Sequence, residues 1–332
     1  MLKRISISIL SVMIAPVCFA APARDLLKPP MIKSPLRSKA AKYELKQAAK
    51  RKIVLRTSKK QQRRVFTPVD KSPHFDLPVT YNKKVKTWIK YFQTNGRRSY
   101  KRWLERSHRY IPKIQPMLDR KGLPRDLVYL AMIESGFSPR AVSTASAVGY
   151  WQFIKPTAVR YGLKVNWWLD ERRDFTKSTL AAATYLNDLY KMFDSWYLAA
   201  SGYNMGEGRV RRLIKKYKTK NFWVLSKKRD FPKETREYIP KLIAAMLIAK
   251  QPKLYGFDTI NPKTPYKYEY FAVPGGTDLE NLAYYIGADK RLLKTMNSAL
   301  VKGFVPQNVS SYAIRIPPGK LQKASEFVRA SL

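Results

Sequence analysis

The feature that most constrains this chain is a helical repeat of apolar residues that runs, with almost no strand-like alternation, from Val85 to about residue 255. Trp88, Tyr91 and Phe92 stand three and four apart, and Trp103 and Leu104 follow. Apolar side chains at that spacing share one face of a helix and need a second layer to cover them. Pro112 is expected to end the first run. A new helix is expected at Leu123-Pro124-Arg125-Asp126, with proline and an acidic residue in its first turn. Further helices are expected over 179–193, 196–203, 209–217 and 236–249. Residues 76–260 therefore read as one mainly α domain, covered by its own packing.

The flanks have a different character. Lys3 and Arg4 precede an apolar run from Ile5 to Val17, and Cys18-Phe19-Ala20 offers small residues where a signal peptidase cuts. Residues 1–20 thus read as a signal peptide, too short for a stable membrane span, and imply export to the periplasm or cell envelope. Cys18 is the only cysteine. With Val17 before it, a lipid anchor there is disfavoured, and cleavage after Ala20 leaves a mature chain with no disulfide. Residues 21–75 are a basic tether. Lys39, Lys42, Lys46, Lys50, Arg51 and Lys52 crowd together with Glu44 nearly alone against them, and a short helix over 39–52 is compatible with the pattern.

The formal charge of +42 favours anionic partners such as envelope polymers or a membrane surface, reached through the tether. The export signal argues against nucleic acid. No cofactor is implied. The two histidines, His74 and His108, lie far apart without a ligand cluster, so no metal is expected.

After Pro262 and Pro265 the pattern changes again. Tyr268–Val273 is short, aromatic and β-branched. Two short helical runs follow at 279–286 and 290–296, then a second strand-like run at 312–316 closed by Pro317-Pro318-Gly319. Residues 261–332 are expected to form a small α+β unit of βααβ order.

One residue stands out chemically. Leu127, Leu130, Ala131 and Glu134 fall on one helix face, so Glu134 ends an apolar stripe. A carboxyl beside low-dielectric packing keeps its proton to higher pH and can then protonate a glycosidic oxygen. Spacing alone favours a helix-end glutamate with its head in water. Asp170, Glu171, Asp174 and Glu207 stand in Arg-rich or Gly-rich turns, where ion pairing and capping are the expected roles.

The wider context is more specific. The segments Leu123–Phe137, Ala147–Phe153, Asp170–Asp174, Gly202–Val210 and Glu234–Leu242 occur in the order of the family 1 lytic transglycosylases. These are the lysozyme-like enzymes of glycoside hydrolase family 23, and the sequence resembles their D type over about residues 85–255. The resemblance implies cleavage of peptidoglycan glycan strands by a single acid/base, Glu134. It implies that Ser143 and Gln152 bind substrate, together with Tyr203, whose hydroxyl points at the catalytic carboxyl, and Asn204. It also implies that the 6-hydroxyl of N-acetylmuramic acid attacks its own anomeric carbon, giving a 1,6-anhydro end. Trp151 is a further candidate for the cleft. Ser146 stands where the family has glycine, which bears on the conformation of that loop. The segment 273–317 resembles a divergent LysM, a glycan-binding module; a structural cap on the enzyme is the alternative.

Two competing readings share much of this sequence. A basic binding protein on a dead lysozyme fold shares the charge, but the intact Glu134, Gln152 and Tyr203-Asn204 set argues against it. A hydrolase of lysozyme type differs only in the ends of its products.

Overall fold

A computed structural model describes residues 73–331. The signal peptide, Cys18, the 39–52 helix and nearly all of the tether lie outside the described residues. The described chain is mainly helical with one small sheet, as the periodicity predicts. In order come α1 (Lys83–Gln93), α2 (Arg97–Asp119), a 3-10 turn (Arg125–Leu127), α3 (Val128–Ser135), α4 (Lys155–Arg160), α5 (Phe175–Phe193), α6 (Trp196–Met205), α7 (Glu207–Tyr217), α8 (Phe222–Leu225) and α9 (Lys233–Lys250). They are followed by β1 (Glu269–Pro274), α10 (Leu279–Tyr285), α11 (Lys290–Met296), β2 (Ser311–Ile316) and α12 (Leu321–Ser331). Among the described residues no helix is long and apolar enough to cross a membrane.

Pro112 does not end the first long helix. α2 continues through both Pro112 and Pro116. Each proline deletes a helical hydrogen bond, at a cost of roughly 3 kcal/mol in a helix interior. The apolar face nevertheless continues across both, with Tyr110, Ile114, Met117 and Leu118 buried. Ending the helix at residue 111 would pull that face out of the core, and burying such side chains is worth roughly 1.5–3 kcal/mol each.

α3 is the short central helix. Val128 to Ile133 are all buried, and α2 and α9 pack against it. Gly136 stops it in the left-handed conformation, with its N–H donating to the Met132 carbonyl at 2.8 Å. A side chain there would sit about 2.1 Å from the Trp103 ring, so only glycine fits.

The C-terminal βααβ order is as expected. β1 and β2 pair antiparallel, with Glu269 opposite Ile316 and Pro274 opposite Ser311. Their inner face shares a second core with Leu279, Leu282, Ile286 and Leu293. α12 follows Pro-Pro-Gly, where no element was expected, and Ala324 is fully buried in that second core with Phe327 and Val328 packed against it.

The C-terminal unit is joined to the helical region by specific contacts. Leu169, from the loop before α5, belongs to the second core. The Asp170 N–H donates to the Ala299 carbonyl at 2.8 Å, and the Val301 N–H to the Trp168 carbonyl at 3.0 Å. Arg315 on β2 grips Asp174 in a buried two-pronged pair at 2.6 and 2.9 Å. Asp174 in turn caps α5 by accepting from the N–H groups of Thr176 and Lys177.

Candidate active site

Glu134 sits on the last turn of α3, where the apolar stripe meets a cleft of about 520 Å³. Ser143, Gln152, Tyr203 and Asn204 line the same cleft, together with Glu207 and Glu234. All five residues picked from the sequence are therefore brought to one hollow.

The wall carrying Ser143 and Gln152 is a tightly tied loop. Ser135, next to Glu134, donates to the Tyr150 carbonyl at 2.8 Å and accepts from the Ser138 N–H at 3.1 Å. Buried Arg172 donates to the carbonyls of Ser146 and Phe153 while pairing with Asp170. Ser143 Oγ accepts from the Ala147 N–H at 3.0 Å, and the Gln152 amide donates to the carbonyls of Ala141 and Gly149. Phe137, Ser146 and Gln152 all have positive φ, a conformation costing such residues roughly 1–2 kcal/mol each. Ser146 thus adopts the left-handed backbone that glycine takes most easily. The surrounding hydrogen bonds hold the strained shape in place.

The environment of Glu134 sets its chemistry. Burial pushes its carboxyl up to about 7. The Tyr238 hydroxyl, donating to Glu134 Oε1 at 2.5 Å, and the nearby Lys241 ammonium act in the opposite direction, while Glu234 adds to the rise. The balance leaves a carboxylic acid that can give up or take a proton near neutrality. Lys241 is anchored by donating to the Ile133 carbonyl at 3.0 Å, one residue before Glu134.

Here the structure corrects the sequence reading. The Tyr203 hydroxyl makes no hydrogen bond to the carboxyl; it donates to the Trp151 carbonyl at 2.7 Å. Burial raises its pKa, and it lies near enough to Glu134 for that charge to raise it further. The phenol on Glu134 comes from Tyr238 on α9. Tyr203 still lines the cleft, its ring against Phe153 and Tyr185. α6 runs unbroken from Trp196 to Tyr203, as expected, but its start and position direct the tyrosine to the loop rather than the acid. Trp151 is a core residue, fully buried, with its indole N–H on Thr179 Oγ1 at 2.9 Å. The signal for Tyr238 was present in the sequence: Glu234, Tyr238 and Lys241 stand at i, i+4 and i+7, on one face of a helix.

Asn204 is fixed between Glu234, to which its amide donates at 3.1 Å, and Thr235, whose hydroxyl donates to Asn204 Oδ1 at 2.6 Å. Glu207 pairs with Arg160 and accepts from Tyr185; its own backbone N–H and Arg160 hold it below the ordinary glutamate value. Asp170, Glu171 and Asp174 are taken up by Arg172, Lys177 and Arg315, as their context predicted. Both histidines are exposed.

Residues 113–226 match the transglycosylase SLT domain family. The resemblance read from the motifs is borne out, and the match takes in Glu134, Ser143, Gln152, Tyr203 and Asn204, while Tyr238 and Lys241 lie beyond it. The chain is 37% identical over 205 residues to the membrane-bound lytic murein transglycosylase D of Escherichia coli strain K12, covering 60% of this chain and 44% of that one. It is 34% identical over 160 residues to the peptidoglycan transglycosylase gp16 of Escherichia phage T7, covering 47% of this chain and 12% of that one. The chain thus spans less than half the length of either relative. Among solved structures, lytic transglycosylase Slt of Pseudomonas aeruginosa overlaps 46% of this chain and 24% of its own, at a TM-score of 0.36 and 22% identity.

Proposed function

We propose that this protein is a peptidoglycan lytic transglycosylase, exported to the cell envelope, whose SLT domain uses Glu134 as its single acid/base. The observation that carries the reading is a glutamic acid held near pH 7 in a cleft, with a phenol on its oxygen. The similar relatives are named for the same activity.

In the proposed reaction, the protonated Glu134 gives its proton to the glycosidic oxygen between N-acetylmuramic acid and N-acetylglucosamine. The bond from that oxygen to the muramyl C1 breaks. The 6-hydroxyl of the same muramyl residue then attacks C1, and the Glu134 carboxylate takes the hydroxyl proton. A 1,6-anhydro end forms, no water is consumed, and the enzyme returns to its starting state. Internal attack needs no second catalytic carboxylate and gains the large effective molarity of an intramolecular step. Tyr238 stays hydrogen-bonded through both halves and steadies the carboxyl as its charge changes. Ser143, Gln152, Tyr203 and Asn204 form the walls that hold the strand.

The test is digestion of purified sacculi followed by mass spectrometry of the released muropeptides. Anhydro ends are expected. Reducing ends would make the enzyme a hydrolase, and no release would remove the assignment.

A further inference from the structure

A second hollow, of about 380 Å³, opens where the C-terminal unit meets the helical region. It is lined by Arg140, Arg173, Lys294, Ser298, Lys302 and the backbone of the 300–303 turn. That size falls within the range of small-ligand sites, ~300–1,000 Å³. Four of its side chains are cationic, and no acidic residue lines it.

Two of the cations, Arg140 and Lys302, have no carboxylate partner among the described residues, and the other two share carboxylates with neighbouring cations. Arg140 is exposed and has no hydrogen bond or ion pair among the described residues. Lys302 lies over the ring of exposed Trp167, 4.2 Å from its centroid. Arg173 donates weakly to the Pro139 carbonyl at 3.4 Å, and its buried Nε has no hydrogen-bond partner. The nearest carboxylate to that Nε is Asp170, at 3.6 Å, whose two oxygens already bond Arg172. Lys294 lies against Gly303 and pairs with Glu280, a carboxylate that Lys290 also uses.

The loop that supplies Arg140 to this hollow also supplies Ser143, Ala145 and Ala147 to the cleft. The two hollows are thus connected through one short loop, residues 140–147.

We propose that the hollow binds the carboxylates of the peptide stems that branch from peptidoglycan glycan strands, a use that rests on the function proposed above. Planar guanidinium groups and ammonium groups match carboxylates, and the pocket has room for a few peptide residues rather than a polyanion lattice.

The test is calorimetric titration of the full chain with a soluble stem tetrapeptide bearing its free carboxylates, alongside the same peptide with all carboxylates amidated. The free-acid peptide should bind, and the amidated one should bind at least tenfold more weakly. An Arg140→Ala/Lys302→Ala double variant, with its melting temperature checked to confirm folding, should lose at least tenfold in affinity for the free acid. Glu134→Gln should bind like the wild type, because Glu134 lies in the other hollow. No binding at millimolar peptide, equal binding by the double variant, or equally tight binding of inorganic polyphosphate would overturn the proposal. Because the titration needs no turnover, its result stands whether or not sacculi are cleaved, so failure of the site and failure of the proposed activity are read separately.

Discussion

The cleft and the seam hollow are both polar and concave, yet they are built on opposite charges. The cleft gathers Glu134, Glu207 and Glu234, with Arg209 among its lining residues. The seam gathers four cations. In a chain of +42 the basic seam follows the average, and the acidic cleft departs from it. The difference shows that burial and not net charge decides the chemistry. Glu134 is set where packing disfavours its charge, so it keeps a proton that ordinary glutamates have lost. Arg140 and Lys302 face water and present cationic groups fit to hold an anion.

The hardest way to break the contrast is to remove the proton from the cleft. Glu134→Gln should lower the rate of glycan cleavage by about 100- to 10,000-fold or more, because an amide cannot shuttle a proton. Activity within about tenfold of wild type, measured on sacculi, would show that another group does the acid/base work.

The same variant sharpens the electrostatic half of the argument. The Glu134 value is raised in the fold, so the unfolded chain ionises first as pH rises. The stability that Glu134 allows is complete below about 4.5 and declines as pH climbs to about 7. Relative to wild type, Glu134→Gln should therefore gain stability between pH 5 and pH 8, by up to about 3 kcal/mol. Parallel melting curves at the two pH values would sink the idea of a desolvated acid.

Cutting the tie between the regions should leave that acid untouched. Asp174→Ala strands a buried arginine and removes the cap of α5, and should cost about 3–5 kcal/mol of stability. The pH profile of cleavage should keep its position, since Asp174 lies among the contacts to β2. A shifted profile would mean that the two regions are electrically coupled.

Smaller changes separate the two tyrosines. Tyr238→Phe should lower the rate about ten- to a hundredfold and move the Glu134 titration upward, because a hydrogen bond that favours the charged form is lost. Tyr203→Phe should act mainly on stability, by about 1–3 kcal/mol, since it leaves the Trp151 carbonyl without its donor. The reverse order of effects on rate would restore Tyr203 as the partner of the acid. Smallest of all, Lys241→Met should also raise the Glu134 titration by removing a nearby positive charge, changing the rate at neutral pH by less than about tenfold.

The sequence by itself determined the layers. Period-3.6 spacing decides which face of each helix is apolar, so α5, α6, α7, α9, α10 and α11 fell close to where they were read. Glu134 was picked out by the motifs around it, which resemble those of a known family, because the end of an apolar stripe by itself also fits a glutamate with its head in water. What lay between elements was decided by the tertiary structure. Pro112 marks a local penalty, and only the core that α2 fills could show that the helix runs through it. α12 carries Leu321, Ala324, Phe327 and Val328 at helical spacing, a signal the reading of the segment passed over, and only the packing against β1 and α10 shows what that face covers. Tyr203 and Tyr238 both carry phenols at sensible helical positions; which one reaches Glu134 depends on how α6 and α9 are placed around α3, and helical spacing contains no term for the distance between helices.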